Sequence, residues 1–260
     1  MAARAMWKGI LQLDGAEVPV KLYSAIEPRA VQFRLLNRQD REPLKQHMID
    51  PSSEEPVEYE DTRRGFPTDD GRVVILDPEE LAELEPEPSR DIDLTRFVPM
   101  GAIDARWYDR PYWLGPDGDA DAYFALAQAV ADSGRAGVAR WVMRKKEYIG
   151  ALVAEDGYLM LVTLRHAGEV VSADELKAPT GRKLDARELK MAEQLVDALA
   201  GEFEPEQYHD EYRERVQELI EAKAKGKKLP KKRAKKKAAA DESLAEILEK
   251  SLKATKKKAA

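Results

Sequence analysis

The sequence predicts an α+β fold, and three features carry that expectation. Runs of alternating apolar and polar residues fill the first third of the chain and return between residues 138 and 164. An Ala-rich amphipathic stretch runs from Asp119 to Ser133 and is closed by Gly134. Two further helical patterns follow, at 185–200 and 205–225.

Taken in order, Ala5 to Leu13 and Val18 to Tyr23 read as strands joined at Asp14-Gly15, a pair that favours a tight hairpin turn. Val31 to Leu35 alternates and predicts a half-buried strand. Residues 37 to 70 lose periodicity and are dense in charge and proline, which predicts a long irregular excursion. Arg72 to Leu76 is a strand. Asp77-Pro78-Glu79-Glu80 has the form of a helix start, with proline at the first helical position and Glu80 placed to return to the cap. Pro86 and Pro88 stop that helix. Asp91 to Val98 and Arg106 to Leu114 are further strands. Val138 to Val153 and Tyr158 to Leu164 pair across Glu155-Asp156-Gly157. The helix at 185–200 sets Leu189, Ala192, Leu195, Val196 and Leu199 on one face, and the one at 205–225 opens on Pro205 and ends at Gly226.

Charge divides the chain unevenly. The net charge is −6, yet residues 223–260 hold 15 basic and 4 acidic groups, a net of +11. The other 222 residues hold 28 basic and 45 acidic groups, a net of −17. A basic tail on an acidic body points to a polyanionic partner reached through local concentration of cations. The run Lys227 to Lys237 repels itself and predicts a largely disordered segment, within which 241–253 forms a short amphipathic helix with Leu244, Ile247, Leu248 and Leu252 on one stripe. That stripe is too short to stand alone, so it docks on something.

The chain has no cysteine, which removes disulfides, thiolate metal sites and a thiol nucleophile. Its three histidines, His47, His166 and His209, lack the spacing of a zinc peptidase. Asp117, Asp119 and Asp121 imitate the start of a calcium loop, but Ala122 and Gln128 stand where glycine and glutamate are needed. Phosphate-binding, nucleophile-elbow and dinucleotide motifs are absent from the sequence. Met1 to Asp14 has no apolar run of the signal-peptide kind, and no stretch is long enough to span a membrane. No catalytic residue, metal or cofactor is expected.

Several segments, in order, resemble one family. They are Arg4-Ala5-Met6-Trp7-Lys8-Gly9 with Val18 to Ala25; Arg96-Phe97-Val98-Pro99 leading to Ile103-Asp104; Tyr108 to Leu114; Glu188 to Ala192; and Phe203 to Tyr212. Over roughly 3–225 the chain resembles the bacterial Ku proteins. The resemblance implies an antiparallel β-barrel with flanking helices, a long arm that bridges, and two subunits closing a ring on double-stranded DNA ends. It implies a core over 1–200 with the arm at about 37–70, a helical segment at 201–226 and the Lys-rich tail at 227–260. Many bacterial relatives carry a CxxC pair in the arm, where this chain reads His47 to Glu55 without a thiol.

Given that resemblance, two clusters are expected to face phosphates: Arg38, Arg41, Lys45, Arg63 and Arg64 in the arm, and Arg140, Arg144, Lys145 and Lys146 on a strand. Lys231, Lys232, Arg233, Lys235, Lys236 and Lys237 are expected to add tail contacts. The stripe of Leu244, Ile247, Leu248 and Leu252 resembles the segment that recruits an end-joining ligase of the ligase D type. The implied role is non-catalytic end recognition in non-homologous end joining, in a bacterial cytoplasm and at its nucleoid. The alternative is a chromatin-like protein binding through its tail alone. Truncation after Glu221 separates the two, because only the tail reading then loses duplex binding.

Overall fold

A computed structural model describes residues 4–176, 181 and 185–227. Along the chain the strands are β1 (Trp7–Leu13), β2 (Ala16–Ser24), β3 (Met48–Ile49), β4 (Pro56–Val57), β5 (Arg64–Pro67), β6 (Val73–Leu76), β7 (Asp91–Pro99), β8 (Tyr108–Pro116), β9 (Arg135–Met143), β10 (Lys146–Glu155) and β11 (Tyr158–Leu164). The helices are α1 (Pro78–Glu83), α2 (Ala120–Ser133), α3 (Ala186–Ala198) and α4 (Glu211–Ala224).

Seven strands close into a barrel in the order β1, β2, β8, β11, β10, β9, β7. A ring with an odd number of members cannot alternate direction at every joint. The barrel accordingly contains one parallel joint, between β1 and β7, and six antiparallel ones. Alternate side chains turn inward, among them Leu11, Val20, Leu22, Ile92, Leu114 and Leu161, and all are buried. The period-2 pattern of the sequence is therefore the inside–outside pattern of a closed sheet.

Helix α2 lies across the end of the barrel where β8 finishes and β9 begins. Asp119 caps it by accepting from the Ala122 N–H at 3.0 Å, and Gly134 ends it at φ 60°. Tyr123, Ala127 and Val130 share its buried face. The Tyr123 hydroxyl enters the β8–β11 joint, donating to the Leu114 carbonyl at 2.5 Å and accepting from the Leu159 N–H at 2.9 Å.

Just after β8, Asp117 receives Lys8 at 2.9 Å and Lys21 at 2.8 Å, tying β1, β2 and β8 together. The Lys21 ammonium, and then that of Lys8, hold the Asp117 carboxyl below the usual carboxylate range. A carboxylate depressed in the folded state stabilises above its unfolded pKa, and that contribution is lost as pH falls through the folded value. Asp117→Asn should therefore flatten the acid limb of a Tm–pH profile below about pH 4, the ordinary Asp range. An unchanged acid limb would show that the cluster contributes nothing there.

Several expectations need correction. Val31 to Leu35 forms no strand, and Phe33 and Leu35 are exposed; an isolated bridge joins Leu36 to Pro43 instead. The stretch 138–153 is not one strand but two, β9 and β10, folded back at Arg144-Lys145. The strand assigned from Arg106 begins at Tyr108, after a 3-10 turn at Ala105–Trp107. The helix assigned to 205–225 is a 3-10 turn at Pro205–Gln207 followed by α4, and His209 lies between them rather than in a helix. The start of α1 is as expected: the Glu80 carboxylate accepts from the Asp77 N–H at 3.0 Å.

The arm is less irregular than its composition suggests. β3 pairs with β4 and β5 with β6 as two small hairpins. Loops 37–42 and 50–55 repeat one hydrogen-bond pattern. In the first, Asn37 Oδ1 accepts from the Gln39 N–H, the Asn37 carbonyl accepts from Arg41, and Arg41 has φ 64°. In the second, Asp50 Oδ1 accepts from Ser52, the Asp50 carbonyl from Glu54, and Glu54 has φ 60°. Asparagine and aspartate side chains hold these turns in the thiol-free arm.

The described residues fall into two compact units, 4–29 with 34–175, and 30–33 with those from 176 onward. The second contains α3 and α4. Asp185 and Glu188 exchange hydrogen bonds at 2.7 and 3.2 Å to cap α3, and Asp210 caps α4 by accepting from the Arg213 N–H at 3.0 Å.

Candidate nucleic-acid interface

The registers sort the barrel's chain ends into two mouths. β1 and β7 start, β2 and β11 finish, β8 starts and the β9–β10 turn folds at one of them. The arm leaves from that mouth after Ser24 and returns to it before Asp91. The opposite mouth holds the β1–β2 and β10–β11 turns and both ends of α2. It carries Asp14, Glu17, Asp117, Asp119, Asp121, Asp132, Glu155 and Asp156 with Arg135, and Lys8 and Lys21 reach Asp117. The arm-side mouth carries Arg90, Arg106, Arg110, Arg140, Arg144, Lys145, Lys146 and Arg165, with Glu85, Asp104, Asp109 and Glu147 among them.

Ion pairs reduce the second expected cluster. Arg140 pairs with Glu147 beside it on β10, and Lys145 Nζ lies 2.8 Å from Glu85. Arg106 is held by Asp104 at 2.8 Å, and Arg165 by Asp109 at 3.3 Å and by the Tyr108 carbonyl. Arg110 is drawn inward, 5.9 Å over the Tyr112 ring. Arg90, Arg144 and Lys146 make no side-chain ion pair or hydrogen bond among the described residues. The geometry also corrects the cluster's form: Arg140 is on β9, Arg144 and Lys145 form the turn, and Lys146 opens β10. Sequence reasoning missed Arg90. Its position between prolines and a strand has no periodic cue, and only the parallel joint of β1 with β7 brings it beside Trp7.

In the arm, Arg38, Arg41 and Lys45 are exposed and make no ion pair among the described residues. Arg63 donates to the Glu60 and Thr62 carbonyls at 3.3 and 2.9 Å, and Arg64 opens β5 opposite Leu76. These five cations share residues 37–70 with ten carboxylates, so the arm as a whole is not a basic element. Only a face that gathers its cations can contact phosphate. Lys231, Lys232, Arg233, Lys235, Lys236, Lys237, Leu244, Ile247, Leu248 and Leu252 lie outside the described residues.

The family profile described as the Ku70/Ku80 beta-barrel domain matches residues 12–191, which takes in six of the seven barrel strands whole and the last two residues of β1. The chain belongs to the Ku family. The Ku barrel here is similar to a protein named non-homologous end joining protein Ku 2 of Geotalea uraniireducens, at 37% identity over 81% of this chain and 82% of that one. It is 36% identical to non-homologous end joining protein Ku of Anaeromyxobacter, over 80% of this chain and 71% of the relative. With the Ku protein of Mycolicibacterium smegmatis it shares 32% identity over 80% and 67%.

The Ku barrel buries several side-chain hydroxyls. Its most buried hydroxyls, Thr163 and Tyr123, are occupied by backbone groups: Thr163 Oγ1 accepts from the Arg110 N–H at 2.9 Å. Among the described residues no three His, Cys, Asp or Glu side chains group as metal ligands. No helix among them is long and apolar enough to cross a membrane.

Proposed function

We propose that two copies of this chain form a ring that binds double-stranded DNA ends without reading sequence and acts, without catalysis of its own, in non-homologous end joining. The observation that carries this reading is the match of residues 12–191, most of the barrel, to the Ku profile, among relatives named for end joining. Phosphate neutralisation and counterion release are enough for such binding, and they need cations rather than base contacts. The acidic far mouth does not prevent it, because charges beyond about 8 Å are largely screened at physiological salt. A closed ring loads only from a free end, so topology supplies the selectivity.

The second copy is supported by the arm. Phe66, Val73 and Ile75 in the β5–β6 hairpin are each more than 60% exposed, and a two-stranded hairpin with bare apolar faces is marginal in water. A matching surface on a second copy would cover them. The arm over 37–70 then bridges the DNA, with Arg38, Arg41, Lys45, Arg63 and Arg64 contributing from whichever face turns inward. The Lys-rich tail adds phosphate contacts, and Leu244, Ile247, Leu248 and Leu252 recruit the ligase. The setting is the bacterial cytoplasm and its nucleoid.

The deciding experiment compares blunt linear duplex with covalently closed circles of equal length, with mass measured on the same sample. Linear DNA should be bound at least tenfold better, by a dimer. Equal binding of both forms, or a single copy with and without DNA, overturns the reading. Reversing Arg140, Arg144, Lys145 and Lys146 to glutamate should weaken binding of all sequences alike, and reduce the salt slope by about 0.9 for each phosphate no longer neutralised. A loss confined to one sequence refutes phosphate recognition.

A further inference from the structure

The barrel contains three two-residue hairpin turns, and in each both residues have positive φ. Two are Asp-Gly: Asp14-Gly15 at 42° and 92°, and Asp156-Gly157 at 51° and 78°. This is the pair that such turns prefer, since glycine takes the left-handed region without a Cβ penalty. The third turn breaks the rule. Arg144 and Lys145 sit at 51° and 65°, and both carry long cationic side chains. Non-glycine residues held there cost ~1–3 kcal/mol each, and such strain concentrates at ligand sites. The chain meets the rule twice and departs from it once, at the arm-side mouth.

What stands at that turn is a cleft. It has a volume of about 410 Å³ and is lined by Trp7, Pro86, Pro88, Ser89, Arg90 and Val142 together with Arg144 and Lys145. One wall is aromatic and apolar. The Trp7 ring is laid over Gly9 so closely that a Cβ there would sit 2.4 Å from it, which fixes the indole in place. The opposing groups are cationic. Arg90 and Arg144 are without ion pairs among the described residues, and Lys145 is tethered to Glu85 at 2.8 Å. The nearby Asp91 carboxylate is already engaged, accepting from Ser89 Oγ at 3.1 Å and Gln12 Nε2 at 3.1 Å.

From this pairing of a strained two-cation turn with a cleft having an indole wall, we infer that the cleft binds one phosphorylated nucleotide, as the terminus of a DNA strand. The phosphate lies against Arg90 and Arg144, with Lys145 exchanging Glu85 for it; the base or sugar lies on Trp7. The volume falls at the small end of the ~300–1,000 Å³ of small-molecule sites, which suits one nucleotide and not a base-paired duplex. Guanidinium–phosphate contacts are bidentate and charge-assisted, and bases stack on aromatic faces without regard to identity. The inference deepens the end-binding reading and, in the terminal-nucleotide form, rests on it.

The test replaces the turn by the pair that the backbone prefers, Arg144→Asn with Lys145→Gly. This variant should fold at least as stably as the parent, so weaker binding cannot be assigned to a damaged hairpin. Linear duplexes carrying a terminal phosphate and the same duplexes with hydroxyl ends are titrated against both proteins, alongside free deoxynucleoside 5′-monophosphate and inorganic phosphate. The parent should prefer phosphorylated ends by about tenfold, as one charged hydrogen-bonded contact allows, and the variant should bind both ends alike. Parental binding that ignores the terminal phosphate overturns the subsite and leaves end binding standing. No binding to any duplex, with the free nucleotide still held by the parent and released by the variant, keeps the nucleotide site and removes the end-binding reading. Inorganic phosphate binding as tightly as the nucleotide overturns the role of Trp7.

Discussion

Val73→Asp with Ile75→Asp is expected to convert the proposed dimer to a single copy and to abolish its proposed preference for linear DNA. Both residues lie on one face of β6, at 62% and 64% exposure in the isolated chain. Nothing among the described residues covers them, so the substitutions cost the folded subunit almost nothing. In the proposed interface each side chain loses about 2 kcal/mol of apolar burial, and because both copies carry both substitutions the dimer dissociation constant rises by well over about a thousandfold. Unpaired carboxylates buried there add to the loss. Sedimentation should show one copy, with the barrel's Tm unchanged and linear and circular DNA bound with similar, weak affinity. A variant that stays dimeric with full end preference would remove the arm hairpin from the interface.

Tyr123→Ala should produce the largest loss of stability of any single change in the barrel. The side chain is completely buried and its hydroxyl completes the β8–β11 joint. Removing a buried aromatic ring costs about 3–5 kcal/mol, which in a domain of this size lowers Tm by roughly 2–4 °C for each kcal/mol. Tyr123→Phe keeps the ring but leaves the Leu159 N–H and the Leu114 carbonyl unmet, a cost of about 1–3 kcal/mol. Burial also pushes the Tyr123 hydroxyl pKa up. The unfolded chain then ionises before the folded one, so stability falls as pH rises past about 10, the ordinary tyrosine value. Tyr123→Phe should remove that alkaline slope. Thermal melts of both variants at pH 7 and pH 10.5 check this, and a Phe variant as stable as the parent would show that the bridge contributes nothing.

Much of the barrel was legible because its determinants are local. Asp-Gly marked two of its turns, alternation marked its strands, and Asp77-Pro78-Glu79-Glu80 marked α1. The third turn was not legible, since Arg144-Lys145 carries no turn signal, and 138–153 consequently read as one strand. Val31 to Leu35 failed for the opposite reason: its alternation is that of a strand, but no strand among the described residues pairs with it. Of the cations at the arm-side mouth, the sequence singled out the second expected cluster and not Arg90. The pairing of Arg140 with Glu147, and of Lys145 with Glu85, depends on strand register and on the path of the returning arm.

By itself, then, the sequence determined the α+β class, the family, the absence of thiol chemistry and the contrast between an acidic body and a basic tail. All of these depend on residue identity and on spacing within a few positions. Tertiary structure alone decided the parallel β1–β7 joint, the division of charge between two mouths, which cations remain unpaired, and the cleft that joins Trp7 to Arg90 and Arg144. Those follow from closing the sheet, because closure brings residues far apart along the chain within reach of one another, and no local pattern records which ones will meet.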